Sequence, residues 1–173
     1  MIPVNEPLVG EKEIAYVTDC LRTGWISSAG AYIERFEKEW AAYCGRKYGI
    51  AVSNGTVALE LALSVLDLPD KAEVILPSFT IVSCLEAVLR SNLTPVLVDC
   101  DPRTYVMDVE DVRRKITPRT AAVMPVHIYG HPVHMEAILS LAKEHSLKIV
   151  EDAAEAHGAE CLVYRQWRRC GSF

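Results

Sequence analysis

The sequence lacks the features that mark several classes of protein. Its 18 basic residues are outnumbered by 23 acidic ones and are scattered apart from Arg165, Arg168 and Arg169, so there is no basic stripe for a nucleic acid. No apolar run approaches the roughly 20 residues of a membrane span, and the first residues lack the basic-then-apolar pattern of a signal peptide. We therefore predict a cytoplasmic protein that binds neither nucleic acid nor membrane.

The cysteines lack the spacing of a metal or redox motif. No CxxC pair occurs, and four of the six lie inside apolar helical or strand patterns. Packing is therefore the favoured interpretation for most of them, and we predict no metal site. The six are Cys20, Cys44, Cys84, Cys100, Cys161 and Cys170.

The sequence does contain enough apolar material for one substantial core. Half of the 173 residues are hydrophobic, which a single domain of this length can bury. Apolar residues recur at helical spacing over Glu11–Arg22 and over Ala31–Tyr43, each with a glycine two residues beyond. These patterns predict two helices, joined by the loop GWISSAG.

Beyond these helices, short apolar runs alternate with helical patterns. The alternation indicates parallel strands joined by crossover helices, and consecutive apolar positions within the runs indicate helices on both faces of the sheet. The sequence therefore predicts an α/β fold with five strands in a mostly parallel sheet. The predicted strands are residues 49–53, 73–77, 94–99, 120–126 and 147–152, and the predicted helices between them are residues 56–66, 81–90, 109–115 and 135–145.

Ligands of such a sheet bind outside the carboxyl ends of its strands, so we searched the residues that follow each strand. Gly55 and Thr56 stand at a predicted helix start, where free N–H groups can hold a phosphate; an ordinary Asn-Gly turn is the alternative. Phe79 stands before the next helix and can stack on a planar heterocycle, with a role in the core as the alternative.

The segment IVEDAAEAHG brings three acids to the end of the last predicted strand. Glu151 and Asp152 are adjacent, and Glu155 follows three residues later. A half-buried carboxylate stays charged only beside a cation or a hydrogen-bond donor, and the protonated ring nitrogen of pyridoxal phosphate (PLP) is such a partner. Asp152 and Glu155 as a metal pair, or a solvated acidic helix start, are the alternatives. This motif alone leaves all three open.

Three histidines cluster in the segment PVHIYGHPVHM. Gly130 and Pro132 break any helix that would bring His127, His131 and His134 to one face. A role in the loop or in substrate contact is therefore favoured over a metal cluster.

Several motifs stand in an order that resembles a known family. The resemblance runs from about Val4 to Glu160 and is to the nucleotide-sugar aminotransferases of the DegT/StrS family. The motifs that carry it are NEPLVGEKEI, GWISSAG, AVSNGTVALELAL, EVILPSFT, PVLVDCDP, AAVMPVHIYGHPVHM and IVEDAAEAHGAE.

The resemblance implies the type I fold of PLP-dependent aminotransferases. Residues 1–173 would be the N-terminal portion of its large, PLP-binding domain, with residues 1–30 as an arm, a helix and a substrate-side loop. The implied reaction moves an amino group from an amino acid, with glutamate expected, to a keto-sugar nucleotide in deoxyaminosugar and polysaccharide biosynthesis. A homodimer is the implied assembly.

The resemblance also assigns the cofactor residues. Gly55 and Thr56 would hold the cofactor phosphate, and Phe79 would stack on the ring. Asp152 would pair with the pyridinium nitrogen, and Glu155 would contact the ring oxygen. Position 155 is often glutamine in this family, and glutamate fits its perosamine-type branch. Near the substrate, the resemblance places Trp25 and Ser27 of the GWISS loop.

The pattern departs from the family after Glu160. The segment CLVYRQWRRCGSF is longer than the family's and lacks its hairpin glycine, and none of the seven lysines falls in the motif of the Schiff-base lysine. We therefore expect a chain that is truncated before this lysine, holds no catalytic residue of its own, binds PLP without a covalent bond at best and is inactive alone. A non-catalytic remnant or interaction module that pairs with an intact homologue is the alternative, and a metal-dependent hydrolase is a third hypothesis.

Overall fold

The structure is a computed structural model that describes residues 2–3 and 6–173. Met1, Val4 and Asn5, which belong to the predicted N-terminal arm, lie outside the described residues. The chain forms two compact units, residues 1–51 and residues 52–173. That all 173 residues belong to one cofactor-binding domain stays a prediction.

The first unit contains the two predicted helices. Helix α1 spans Glu11–Thr23 and helix α2 spans Ala31–Tyr43, which confirms both predictions to within one residue. Gly24 ends α1 in the left-handed conformation, with φ of 76°, that glycine adopts without a steric penalty. Within the described part of the chain, no helix is long and apolar enough to cross a bilayer. The cytoplasmic location stays a prediction.

The predicted strand at residues 49–53 is wrong, since this segment forms no strand in the structure. Gly49 approaches α2 so closely that an added Cβ would lie 2.5 Å from the carbonyl oxygen of Glu37. Ala51 donates its N–H to the Glu37 side chain at 2.8 Å. In a β-strand this N–H would instead donate to the neighbouring strand. Contact with α2 thus replaces sheet pairing in this segment.

The second unit is built on a parallel sheet of four strands in the order β2-β1-β3-β4. The strands are β1 Glu73–Pro77, β2 Thr94–Val98, β3 Thr120–Val123 and β4 Lys148–Ile149. The helices are α3 Gly55–Ser64, α4 Val82–Arg90, α5 Val109–Lys115 and α6 Met135–Glu144. Strands β3 and β4 are shorter than predicted. For β3 the reason is Pro125, which has no N–H to donate to a ladder.

Helices cover both faces of this sheet, as predicted. Val74 and Leu76 of β1 pack with α3 and α4 on one face, whereas Ile75 packs with α5 and α6 on the other. All three side chains are fully buried. Successive side chains of a strand point to opposite faces, so a strand covered on both sides needs apolar residues at consecutive positions.

An antiparallel hairpin follows the sheet, formed by β5 Glu160–Val163 and β6 Gln166–Arg169. We expected the sequence to depart from the family pattern here, where it has no hairpin glycine, yet the hairpin forms. Its two turn residues, Tyr164 and Arg165, both have positive φ, 49° and 66°. This is the two-residue turn that favours glycine at its second position.

Arg165→Gly is expected to stabilise the chain by about 1 kcal/mol, because glycine adopts a positive φ without the penalty of a Cβ. Urea unfolding followed by circular dichroism measures the change. Arg165→Ala is the control, since it removes the same long side chain but keeps the Cβ. Equal stability of the two variants would contradict the interpretation of the turn.

Glu73 opens β1 as a buried carboxylate that is only 4% exposed. It accepts hydrogen bonds from the hydroxyls of Thr117 and Thr120 and from the guanidinium of Arg119. The bond from Thr117, followed by those from Arg119 and Thr120, lowers the pKa of Glu73 below its ordinary 4.5, although burial acts in the opposite direction.

Acidification is therefore expected to remove a stabilising contribution of Glu73. Because folding lowers its pKa, the contribution is complete above the ordinary value of 4.5 and is lost as the pH falls through the lowered value. Urea unfolding between about pH 7 and about pH 3 should show a smaller loss of stability in Glu73→Gln than in the wild type. Glu144→Gln, which removes a carboxylate from an exposed ion pair, is the control for the loss of one carboxylate.

Candidate functional site

Asp152 lies at the carboxyl end of the sheet, where the sequence predicted it. Its N–H donates to the carbonyl oxygen of Pro125 at 2.9 Å, and its own carbonyl oxygen accepts the N–H of His127 at 3.1 Å. These bonds form a parallel bridge between Asp152 and Val126, just beyond the last regular residues of β3 and β4. The backbone of Asp152 is thus held at the edge, and its side chain is half-buried.

Each carboxylate oxygen of Asp152 accepts one hydrogen bond from the chain. Oδ1 accepts the N–H of Ala154 at 3.1 Å, and Oδ2 accepts the thiol hydrogen of Cys84 at 3.2 Å. Sequence reasoning assigned Cys84 to packing and missed this contact. The residue is fully buried, and its sulfur also contacts the carboxylate of Asp152.

Phe79 lies in a cluster of three aromatic rings that is open to solvent. Its ring centroid is 5.9 Å from that of Tyr105 and 6.2 Å from that of Tyr129, and Phe79 is 40% exposed. Both tyrosines have positive φ, 61° and 50°, which is uncommon for bulky residues and is concentrated at functional sites. Sequence reasoning missed both, because a strained backbone leaves no pattern in residue spacing.

Glu155 is bound to the same aromatic cluster. Its Oε2 accepts the N–H of Tyr129 at 2.6 Å, which holds the loop after β3 in its strained conformation. Of the five predicted cofactor residues, three are linked through described contacts. These three are Phe79, Asp152 and Glu155. Tyr129 contacts both Phe79 and Glu155, and Cys84 links Asp152 to Thr80, the residue after Phe79.

Gly55 and Thr56 begin α3, as predicted. Asn54 caps the helix by accepting the N–H of Val57 on Oδ1 at 3.0 Å, and the helical ladder starts with Ala58 N–H to the Asn54 carbonyl. The N–H groups of Gly55 and Thr56 precede that ladder, and a Cβ added at Gly55 would meet no described atom within 4 Å. No described contact joins this helix start to Asp152.

The side chain of Glu151 is buried, with 3% of its surface exposed, and its partners differ from those of Asp152. Val133 donates its N–H to Nδ1 of His127 at 3.0 Å, so Nε2 carries the hydrogen that is donated to Glu151 Oε1 at 2.8 Å. Glu151 also accepts the N–H groups of Gly171 at 2.7 Å and Phe173 at 2.9 Å. One carboxylate thus joins the loop after β3 to the segment after β6.

Cys170 lies beside this pair and completes a group with the composition of a metal site. Potential ligand atoms of His127, Glu151 and Cys170 all lie within 4.8 Å of one another. A metal at Nε2 would need the lone pair of a nitrogen that carries a hydrogen here, so the contacts favour a hydrogen-bonded network. The absence of a metal site stays a prediction, which this network supports.

The other two loop histidines are both exposed, and one has a structural contact. His134 caps α6, because its Nδ1 accepts the N–H of Ala137 at 3.3 Å. His131 lies after the short 3₁₀ turn Ile128–Gly130.

The predicted substrate residues belong to the first unit. Trp25 and Ser27 lie on the loop between α1 and α2 and are exposed. Trp25 packs over Gly30, where an added Cβ would lie 3.6 Å from its side chain. Their approach to a substrate stays a prediction.

Comparison with known protein families identifies the family of this chain. The model of the DegT/DnrJ/EryC1/StrS aminotransferase family matches residues 7–173. The chain belongs to this aminotransferase family. The match continues past Glu160, where the resemblance was expected to stop, so the hairpin of β5 and β6 lies inside the matched range.

Curated members of the aminotransferase family include close relatives. The chain is 48% identical over 158 residues to the GDP-perosamine synthase of Caulobacter vibrioides, covering 91% of this chain and 43% of that protein. It is 46% identical over 159 residues to the GDP-perosamine synthase of Escherichia coli O157:H7, covering 92% and 44%. The chain thus spans less than half the length of these relatives.

Solved structures of aminotransferases confirm the predicted fold, the N-terminal part of the large domain of type I PLP-dependent enzymes. The aminotransferase TlmJ from Streptoalloteichus hindustanus superimposes with a TM-score of 0.87 at 34% identity, over 99% of this chain and 46% of that one. S. venezuelae DesV, solved with a ketimine intermediate, gives 0.84 at 40% identity, over 94% and 44%.

No described contact joins a lysine of residues 52–173 to Asp152. Lys71 precedes β1 and Lys148 opens β4, which places both at the amino ends of the strands. Lys115 donates to the carbonyl oxygen of Leu97 at 2.8 Å and pairs with Asp111. Lys143 stands in the last turn of α6.

Proposed function

We propose that this chain forms the cofactor-binding part of a PLP-dependent aminotransferase that acts on a keto-sugar nucleotide, with glutamate as the amino donor. The observation that carries the proposal is the Asp152 carboxylate. It is half-buried at the carboxyl edge of a parallel sheet, with a donor on each oxygen, and Glu155, three residues later, binds the exposed aromatic cluster. A solvated acidic helix start, the alternative from the sequence, would need neither donor.

The residues present fit PLP on three counts. Asp152 offers a fixed negative charge to a protonated ring nitrogen, and the half-exposed ring of Phe79 can stack on the pyridine face. The first N–H groups of α3, with open space above Gly55, suit a phosphate. Glu155 holds Tyr129 through Oε2, so contact with the ring oxygen would fall to Oε1.

Bound PLP supplies the electron sink that amino-group transfer requires, and the chain's part is to bind and orient it. Asp152 would pair with the ring nitrogen and thereby favour the protonated form of that nitrogen. Phe79 would stack on one face of the ring. The lysines of residues 52–173 are placed for none of these tasks, so we infer that the Schiff-base amine is not among those four.

The substrate class follows from the relatives. Three of them are named GDP-perosamine synthases, and one from Aneurinibacillus thermoaerophilus is named dTDP-3-amino-3,6-dideoxy-alpha-D-galactopyranose transaminase. We place this chain with the perosamine-type members, in deoxyaminosugar and polysaccharide biosynthesis, with Trp25 and Ser27 near the sugar nucleotide. For the full-length protein, a homodimer is the assembly that the family resemblance implies.

A PLP titration tests the proposal on the chain itself. Absorbance and fluorescence should show saturable binding, with a spectrum unlike that of free PLP. The activity is tested in a fusion of this chain to the remaining residues of the Caulobacter vibrioides relative, with a GDP-linked keto-sugar and glutamate. Failure to bind PLP, together with assembly on an intact homologue, would instead favour a non-catalytic interaction module.

A further inference from the structure

Cys84 on α4 contacts the carboxylate of Asp152, which lies 68 positions later in the sequence. It lies in the first turn of α4, is fully buried and places its sulfur 3.2 Å from Oδ2 of Asp152. An ionised carboxylate only accepts hydrogen bonds, so the thiol is the donor of this pair. The contact is therefore directional, and packing alone does not require it.

Thr80 supplies the second link of the same chain of hydrogen bonds. Its Oγ1 lies 3.3 Å from the sulfur of Cys84. Because the single hydrogen of the thiol is donated to Asp152, the hydroxyl of Thr80 donates to the sulfur. Burial, and then the nearby Asp152 carboxylate, raise the pKa of Cys84 to about 12, so the thiol keeps this hydrogen at neutral pH.

We propose that Cys84, supported by Thr80, is a positioning residue for the Asp152 carboxylate. The backbone of Asp152 is fixed by its bridge to Val126, and Oδ1 is held by the N–H of Ala154. The side chain could still turn about its own bonds, and the thiol at Oδ2 removes that freedom. What the oriented carboxylate then binds, the ring nitrogen of PLP, rests on the proposed function.

Infrared spectroscopy of the S–H stretch tests the contact without a cofactor. The band of Cys84, assigned as the one lost in Cys84→Ala, should lie at lower frequency than a free thiol. In Asp152→Ala it should move to higher frequency, because the acceptor is gone. A band that stays in place in Asp152→Ala would overturn the proposal, whether or not the chain binds PLP.

Two ligands that differ in one ring atom test whether Cys84 affects the binding of PLP. PLP has the ring nitrogen, whereas its 1-deaza analogue has a carbon in that place. Cys84→Ala is expected to weaken PLP binding about fivefold, since a thiol is a weak donor to a charged acceptor, and to leave binding of the analogue unchanged. Cys84→Ser keeps a donor and should restore the preference for PLP.

Val88→Ala is the matched control, because Val88 is fully buried on the same helix and has no polar atom. It should lower stability without changing the ratio of the two affinities. Equal weakening of both ligands by Cys84→Ala would show a structural role only and would overturn the proposal. If the wild-type chain binds neither ligand, the proposed function fails and the infrared result alone decides the role of Cys84.

Discussion

Asp152→Asn is expected to weaken PLP binding about tenfold to hundredfold, the usual cost of losing a hydrogen-bonded charge partner. Asparagine keeps an oxygen for the N–H of Ala154 but removes the negative charge that favours a protonated ring nitrogen. Because the side chain is half-buried, the free energy of unfolding should change by less than about 1 kcal/mol. Fluorescence titration with PLP and urea unfolding measure the two quantities.

Asp108→Asn is the matched control for this prediction. The Oδ1 of Asp108, like that of Asp152, accepts the N–H of the second residue after it, here that of Glu110 at 2.9 Å. Asparagine caps a helix about as well as aspartate, so this change should leave both stability and PLP affinity nearly unchanged. Wild-type affinity in Asp152→Asn would contradict the assignment of Asp152 to the ring nitrogen.

Glu151→Ala is expected to lower the free energy of unfolding by about 3–5 kcal/mol, the cost of leaving the partners of a buried charge unpaired. The change removes the acceptor of three hydrogen bonds, from His127, Gly171 and Phe173. Alanine offers no replacement, and the buried imidazole would keep an unpaired donor. Urea unfolding followed by circular dichroism measures the loss.

Hydrogen exchange shows which part of the chain Glu151→Ala destabilises. The amides of Gly171 and Phe173 should exchange faster in Glu151→Ala, while amides of β1 change only with global stability. Glu151→Gln keeps one oxygen acceptor and should give a smaller loss than alanine. A stability equal to that of the wild type in Glu151→Ala would show that the C-terminal segment does not depend on this carboxylate.

Asp152→Asn and Glu151→Ala test different roles for two neighbouring residues that look alike in the sequence. Glu151 and Asp152 are adjacent acids after an apolar run, and their spacing offers no reason to assign them different roles. In extended backbone, successive side chains point to opposite sides. One carboxylate is therefore buried against His127, and the other reaches the edge of the sheet beside Cys84.

Most of the fold could be predicted because its signals are local. The helical spacing in α2 and α5 predicted the bounds of both helices, and consecutive apolar residues in β1 predicted a strand covered on both faces. The prediction of a strand at residues 49–53 was wrong for a nonlocal reason. Its apolar residues suit a strand, but Glu37 takes the N–H that pairing needs.

By itself the sequence determined the family, the α/β class and the residue types at the strand ends, because these depend on motif order and on periodicity along the chain. Only the tertiary structure decided the partner of each acid: Cys84 for Asp152, the Tyr129 N–H for Glu155, and a donor network for Glu151. These partners lie 68 positions from Asp152, 26 from Glu155 and 20 to 24 from Glu151. Residue spacing carries no information about contacts that the crossover connections of a parallel sheet bring together.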